Sequence, residues 1–279
     1  MSQKKLSPAE MLLLTTIRIE TTTPVGISTG TGFFFSFKEN KETGEYIPAI
    51  VTNKHVIKDS IRGKLRFSIK DSSGNPMAGK YFDLVVENFE NCWIKHPEDD
   101  IDLCILPIAN IHREIQKSKH DLYYIPLQKE LIPSASEFET NFSQIEEITV
   151  IGYPDGIWDS VNNLPIVRKG ITATPLQFDF ENTSRFLIDA AIFGGSSGSP
   201  VFVFNQGSYA LPNGNVNIGT RINLVGIVYA VAQHTVTGEL KIIDIPTSKT
   251  SIAQTLIPNN LGVTIHARRL LDFESLLKG

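Results

Sequence analysis

The chain has 279 residues, 41% of them hydrophobic and 20% charged, with 26 Lys plus Arg against 30 Asp plus Glu and a net charge of −4. That composition excludes a disordered chain, and its slightly acidic balance argues against nucleic-acid binding through bulk charge. No apolar run approaches the roughly 18 residues of a membrane span, and Cys92 and Cys104, the only two cysteines, cannot make a disulfide framework.

Along the chain, Ser7, Pro8 and Glu10 spell a capped helix start, with the serine as N-cap and the glutamate closing a capping box. The apolar stretch Met11–Ile17 is short, Arg18 and Glu20 follow it, and no small-residue cleavage site appears. It therefore reads as helix running into strand rather than a signal peptide, and the expectation is a cytoplasmic protein. Short β-runs follow near Thr15–Glu20, Phe33–Phe37, Ile47–Thr52, Leu65–Ile69, Phe82–Val86, Cys92–Lys95 and Leu103–Ile108. A second set lies near Glu147–Gly152, Ile166–Thr174, Arg185–Ile192, Val201–Phe204, Leu224–Val231, Lys241–Ile245 and Val263–His266. Ile17 and Ile19 alternating with Arg18 and Glu20 carry the period of two expected of half-buried strands. The polar segment Asn110–Ser143 reads as a linker between two β units, barrels or sandwiches. Arg268–Lys278, with an apolar face of Leu270, Leu271, Phe273, Leu276 and Leu277, reads as a C-terminal helix.

The chemistry concentrates in Asp189–Pro200, DAAIFGGSSGSP. Glycines crowded around serines make a sharply folded loop, because glycine accepts positive φ and close backbone approach. A serine hydroxyl needs a base to take its proton and donors to hold the oxyanion that forms. The bland alternative is a surface turn. Another is the nucleophile elbow G-x-S-x-G at Gly194–Gly198, with Ser196 attacking and Asp244 and His266 following in order. That elbow must open into a helix, whereas Pro200 and the strand-like Val201–Phe204 come next. For the base, His55 stands out among six histidines because it ends the apolar run Ala49–Ile57. The carboxylates Asp99, Asp100 and Asp102 cluster downstream; Asp100, at the entrance of the expected strand, is the candidate to turn inward. The two cysteines read as free thiols that pack. There is no phosphate-binding glycine motif and no metal-ligand spacing, so no cofactor or metal is expected.

Together, Thr52-Asn53-Lys54-His55-Val56, Asp100-Ile101-Asp102-Leu103 and Asp189–Pro200 resemble the trypsin-like (chymotrypsin-fold) serine peptidases, nearest the bacterial HtrA/DegP-like branch. The family segments are T-N-x-H-V, D-[IL]-A-[VL] and D-A-A-I-x-x-G-N-S-G-G-P. Gly30-Thr31-Gly32-Phe33 resembles the family's G-S-G-F, and Gly152-Tyr153-Pro154 its G-x-P turn. The resemblance implies an all-β fold of two six-stranded antiparallel barrels, with a short N-terminal and a C-terminal helix. Residues 1–125 would form the first barrel, carrying His55 and Asp100. Residues 126–279 would form the second, carrying Ser197, with no PDZ domain. It implies a serine endopeptidase with Ser197 as nucleophile, His55 as general base, Asp100 orienting it, and the backbone N–H groups of Gly195 and Ser197 as oxyanion hole. The primary specificity pocket would fall at Ala191, Ile192, Tyr229, Ala230 and Val231. A pocket for small or medium apolar side chains is the expectation, unless Asp189 turns into it. The partner is a polypeptide substrate, with a regulatory protein as a further candidate and no nucleic acid or membrane. Ser196, standing where digestive trypsins carry Asp, implies no zymogen cleavage of their type. The competing function is a protease-fold binding or signalling module that stays latent until a partner binds.

Overall fold

The structure, a computed structural model, describes residues 5–240 and 251–277, with side chains described for 5–231 and 260–277. Ser7 caps α1 (Pro8–Leu13), accepting the Glu10 N–H, and Glu10 reaches back to the Ser7 N–H at 2.8 Å. The expected N-terminal capping box is therefore present.

The first half is one antiparallel sheet: β1 (Thr16–Thr23), β2 (Gly26–Phe37), β3 (Ile47–Thr52), β4 (Arg62–Lys70), β5 (Pro76–Glu87), β6 (Ile94–Lys95), β7 (Cys104–Pro107) and β8 (Leu122–Tyr123). Its order is β5-β4-β1-β2-β3-β7-β6, with β8 beside β4, and its two ends do not pair. The expected first six-stranded barrel is thus an open eight-stranded sheet. Between β5 and β6 the chain makes a short excursion. There Asn88 turns left-handed and a 3-10 turn, Phe89–Cys92, folds over Gly63, where a Cβ would come within 2.3 Å of the Phe89 ring. Phe89 is fully buried.

The second half is a closed barrel of β9 (Glu147–Gly152), β10 (Ile166–Thr172), β11 (Arg185–Asp189), β12 (Pro200–Asn205), β15 (Arg221–Leu240) and β16 (Ser251–His266), in the order β10-β11-β16-β15-β12-β9. A hairpin of β13 (Ser208–Ala210) and β14 (Val216–Ile218) stands outside it. β15 and β16 pair from Gly226↔His266 out to Leu240↔Ser251, well past the expected strands. The expected strand Lys241–Ile245, with Asp244, lies outside the described residues.

The segment expected to be a plain linker is folded. It holds α3 (Ala109–Lys117), β8 and α4 (Ala135–Asn141), the last capped by Ser134 and Glu137 and burying Phe138. The C-terminal segment Ala267–Ser275 is a 3-10 helix rather than an α-helix. Its buried residues, Ala267, Leu270 and Phe273, recur every three positions, which suits the three-residue turn.

β2 organises the cores. Successive strand side chains point to opposite faces, and both faces of Phe33–Phe37 are buried. Phe34 packs with Ile17, Ile19 and Leu65 inside the first half. Phe33, Phe35 and Phe37 pack with Ile151, Phe202 and Phe273, so this core joins the two halves. A third core fills the closed barrel. No helix among the described residues is long and apolar enough to cross a membrane.

Candidate active site

β3 runs buried to Thr52, and the chain then makes one helical turn, α2 (Lys54–Ile57). Val56 and Ile57 are buried, Val56 lying where a Cβ on Gly30 would meet it at 2.4 Å. His55, between Lys54 and these two, is thrown outward, its side chain 45% exposed. Its Nδ1 lies 2.5 Å from Asp102 Oδ2, and its backbone N–H donates to Asp102 Oδ1 at 3.1 Å. A carboxylate accepts, so Nδ1 is the donor, and in the neutral ring this tautomer leaves Nε2 with its lone pair.

The residue against the imidazole is therefore Asp102 and not Asp100, which corrects the expected assignment. The strand begins at Cys104, and residues 99–103 form a tight loop in which Leu103 N–H donates to Ile101 C=O at 2.9 Å. Ile101 and Leu103 are buried on one side, so Asp102 between them faces the other, where His55 lies. Asn53 Nδ2 holds the loop by donating to the Asp102 carbonyl at 2.8 Å. Asp100 stays on the cleft rim, its carbonyl accepting from Arg185 at 2.8 Å. The same loop is stapled to the C-terminal segment. Buried His96 accepts the Glu98 N–H at Nδ1 (3.1 Å) and meets Asp272 through Nε2 (3.0 Å), and Arg269 pairs with Glu98.

On the other side, β11 ends at Asp189 and β12 starts at Pro200. No helix follows the serines, as the nucleophile elbow would require. Ser196 and Ser199 are buried, whereas Ser197 is half-buried and lines the cleft that His55 also lines. Of the three serines, Ser197 alone reaches that cleft. Ser196 N–H donates to Phe193 C=O at 3.1 Å, and the third residue of this turn, Gly195, has φ +78. This is a type II turn. Gly194 C=O accepts from Asp155 N–H at 2.5 Å. In a trans peptide the C=O and the following N–H point oppositely, so the Gly195 N–H is directed away from Asp155. A Cβ on Gly195 would meet Tyr153 O at 2.5 Å, and one on Gly198 (φ +86) would meet Thr31 O at 2.0 Å. Both positions require glycine.

The cleft measures about 650 Å3 and lies between the halves, with His55 and Asp102 on one wall and Ile192, Gly194 and Ser197 on the other. Tyr229, Ala230 and Val231 of β15 also line it, and Tyr229 meets the His55 ring edge-on at 6.2 Å. Ala191 does not line it; its carbonyl accepts from Arg168, whose guanidinium lies 4.8 Å over the Phe193 ring. Asp189 is exposed at the end of β11, away from the cleft lining. A second cavity of about 470 Å3 opens on the far side of His55, lined by Thr21, Thr23, Val25, Ser28 and Lys58. Cys92 is exposed and Cys104 buried, both as free thiols. The side chain of His234 lies outside those described. Among the described residues no group of three or more His, Cys, Asp or Glu is placed to hold a metal.

The family profile for the trypsin-like peptidase domain matches residues 30–209, which span every element of this site up to β13. The chain belongs to the trypsin-like peptidase family. Solved structures that it resembles include a variant of the HtrA-type protease AlgW with a tripeptide, at 17% identity and TM-score 0.49, covering 97% of this chain and 63% of that one. A serine endoprotease from Yersinia pestis matches at 15% identity and TM-score 0.47, over 98% of this chain and 67% of that one. A variant of the tobacco etch virus protease matches at 12% identity and TM-score 0.48, over 99% and 82%. This chain spans less than two thirds of the AlgW chain's length. No curated protein matches its sequence significantly.

Proposed function

We propose that the protein is a serine endopeptidase that cleaves polypeptides through an acyl-enzyme. The observation that carries this reading is the bond from His55 to Asp102 at 2.5 Å beside the cleft that Ser197 lines. With Nδ1–H committed to Asp102, Nε2 takes the Ser197 proton as the hydroxyl attacks the carbonyl carbon. The negative oxygen is met by the Gly195 and Ser197 N–H groups, each such donor contributing about 2.7–4 kcal/mol of barrier lowering. The imidazolium, stabilised by Asp102, then gives its proton to the leaving amine, and water repeats the sequence to release the acid.

Cavities on both sides of His55 leave room for chain before and after the scissile bond, which supports an endopeptidase. Ile192, packed where a Cβ on Gly262 would come within 3.0 Å, and Ala230 support a primary pocket for small or medium apolar side chains. On this reading the boundary between the two halves is placed near residue 125, just after β8, although Leu127 still bridges to Phe35 of β2. The Gly195 turn, already in the conformation that frees its N–H, supports competence over latency.

A fluorophosphonate probe is expected to label the wild type and not Ser197→Ala. Unlabelled wild-type enzyme is expected to cleave a peptide library with a preference for apolar residues before the cut. Folded wild-type protein that resists the probe would sink the catalytic reading, and a profile dominated by Arg or Lys would sink the pocket assignment.

A further inference from the structure

Thr31 belongs to a motif whose first and last glycines explain themselves by packing. Gly30 makes room for Val56, and Gly32 for Ile50, Ile19 and Ile17. The threonine between them is fully buried on β2, in the half opposite Ser197, yet it touches the nucleophile loop at two places. Its N–H donates to Ser197 C=O at 2.9 Å. Its Oγ1 donates to Gly195 C=O at 2.9 Å and accepts the Tyr153 N–H at 3.0 Å. Its own carbonyl accepts from Thr52 Oγ1 at 2.7 Å. A hydroxyl has one proton, and here it is spent on Gly195.

Gly195 has two flanking peptide planes. The preceding one is held at its carbonyl, Gly194 O, by Asp155 N–H. The following one is held at Gly195 O by the Thr31 hydroxyl. Asp155 and Tyr153 sit in one turn, so the hydroxyl also ties down the segment that anchors the first plane. With both planes fixed, both backbone angles of Gly195 are fixed, and so is the direction of its N–H. Glycine at this position has the freedom to flip; these two anchors remove it.

We propose that Thr31 is a positioning residue for the oxyanion hole: its hydroxyl, reaching from the first half into the second, holds the Gly195–Ser196 peptide so that the Gly195 N–H faces the oxyanion. The proposal rests on Ser197 being the nucleophile. It assigns a role to the hydroxyl that is separate from substrate binding, because Thr31 lies beneath the cleft and lines neither of its cavities.

The test compares Thr31→Val, which keeps the shape and removes the hydroxyl, with Thr31→Ser, which keeps the hydroxyl. Turnover of a peptide substrate, the rate of fluorophosphonate labelling and the affinity for a peptide aldehyde are measured in parallel. Thr31→Val is expected to lower kcat by about tenfold or more with KM little changed, since lost oxyanion stabilisation acts on the transition state. Labelling rate and aldehyde affinity are expected to fall with kcat, and Thr31→Ser to recover all three. Should Thr31→Val fail to fold because the Tyr153 N–H is left buried and unpaired, Thr31→Ala leaves space for a water at that group and is expected to show the same loss. A folded Val or Ala variant with wild-type kcat, or a Ser variant as impaired as Val, overturns the proposal. So does failure of both hydroxyl-free variants to fold, which would make Thr31 a stability residue only. Wild type that does not label overturns instead the nucleophile assignment on which this rests.

Discussion

The two walls of the cleft hold their reactive groups by different means. On the first, His55 is fixed by one side chain, Asp102, which bonds both its ring and its backbone N–H. On the second, the loop around Ser197 is fixed chiefly through its backbone, whose groups bond other backbone groups, the Thr31 and Ser196 hydroxyls and Arg168, with glycines where a Cβ would collide. A side-chain anchor is a matter of chemistry and is lost by changing one functional group. A backbone anchor is a matter of shape and is lost by adding one carbon.

The largest expected effect tests the first wall. Asp102→Asn is expected to lower kcat about 10^4-fold, because the amide favours the wrong imidazole tautomer while keeping the shape. Asp100→Asn is expected to leave kcat near wild type. Steady-state kinetics on both variants decide it, and equal losses, or a larger one at Asp100, would reverse the assignment. Next comes the second wall. Gly198→Ala places a methyl against Thr31 O in a left-handed backbone, and is expected to cost about 4 kcal/mol of stability in urea unfolding. A wild-type midpoint would mean the loop has slack and the contrast between the walls is false.

The smallest effect lies away from both walls, at His266. Burial pushes its pKa down to about 4 from 6.5, Arg268 adding to the shift and Asp179 opposing it. Below pH 6.5 the unfolded chain takes up a proton that the folded one refuses until about pH 4. Stability is therefore full above pH 6.5 and is lost as pH falls toward 4, by about 3 kcal/mol. Denaturation midpoints at pH 7 and 4.5 should separate more for wild type than for His266→Gln. Equal separation would remove His266 as the cause.

Local signals carried most of the fold. The Ser7–Glu10 capping box, the alternation at Ile17–Glu20 and the strand at Ile47–Thr52 are set by neighbouring residues and were legible. The open order of the first sheet was not, because strand pairing between distant segments leaves no local pattern in the sequence. The site was legible in its motifs but mis-registered in one. The family segment D-[IL]-A-[VL] fits Asp100-Ile101-Asp102-Leu103 at three of four positions, while the window from Asp102 fits it only at Asp102 and Leu103, with Cys104 in the alanine position and Ile105 in the last. Alternation around Ile101 and Leu103 puts Asp100 and Asp102 on the same face, and only the tight loop at 99–103 brings Asp102 rather than Asp100 against His55. The sequence marks Thr31 only as part of a motif, since the groups its hydroxyl touches lie 122 and 164 positions away.

The staple from His96 to Asp272 joins residues 176 positions apart. A polypeptide still emerging from the ribosome lacks that clasp on the Asp102 loop until nearly all the described chain has been made.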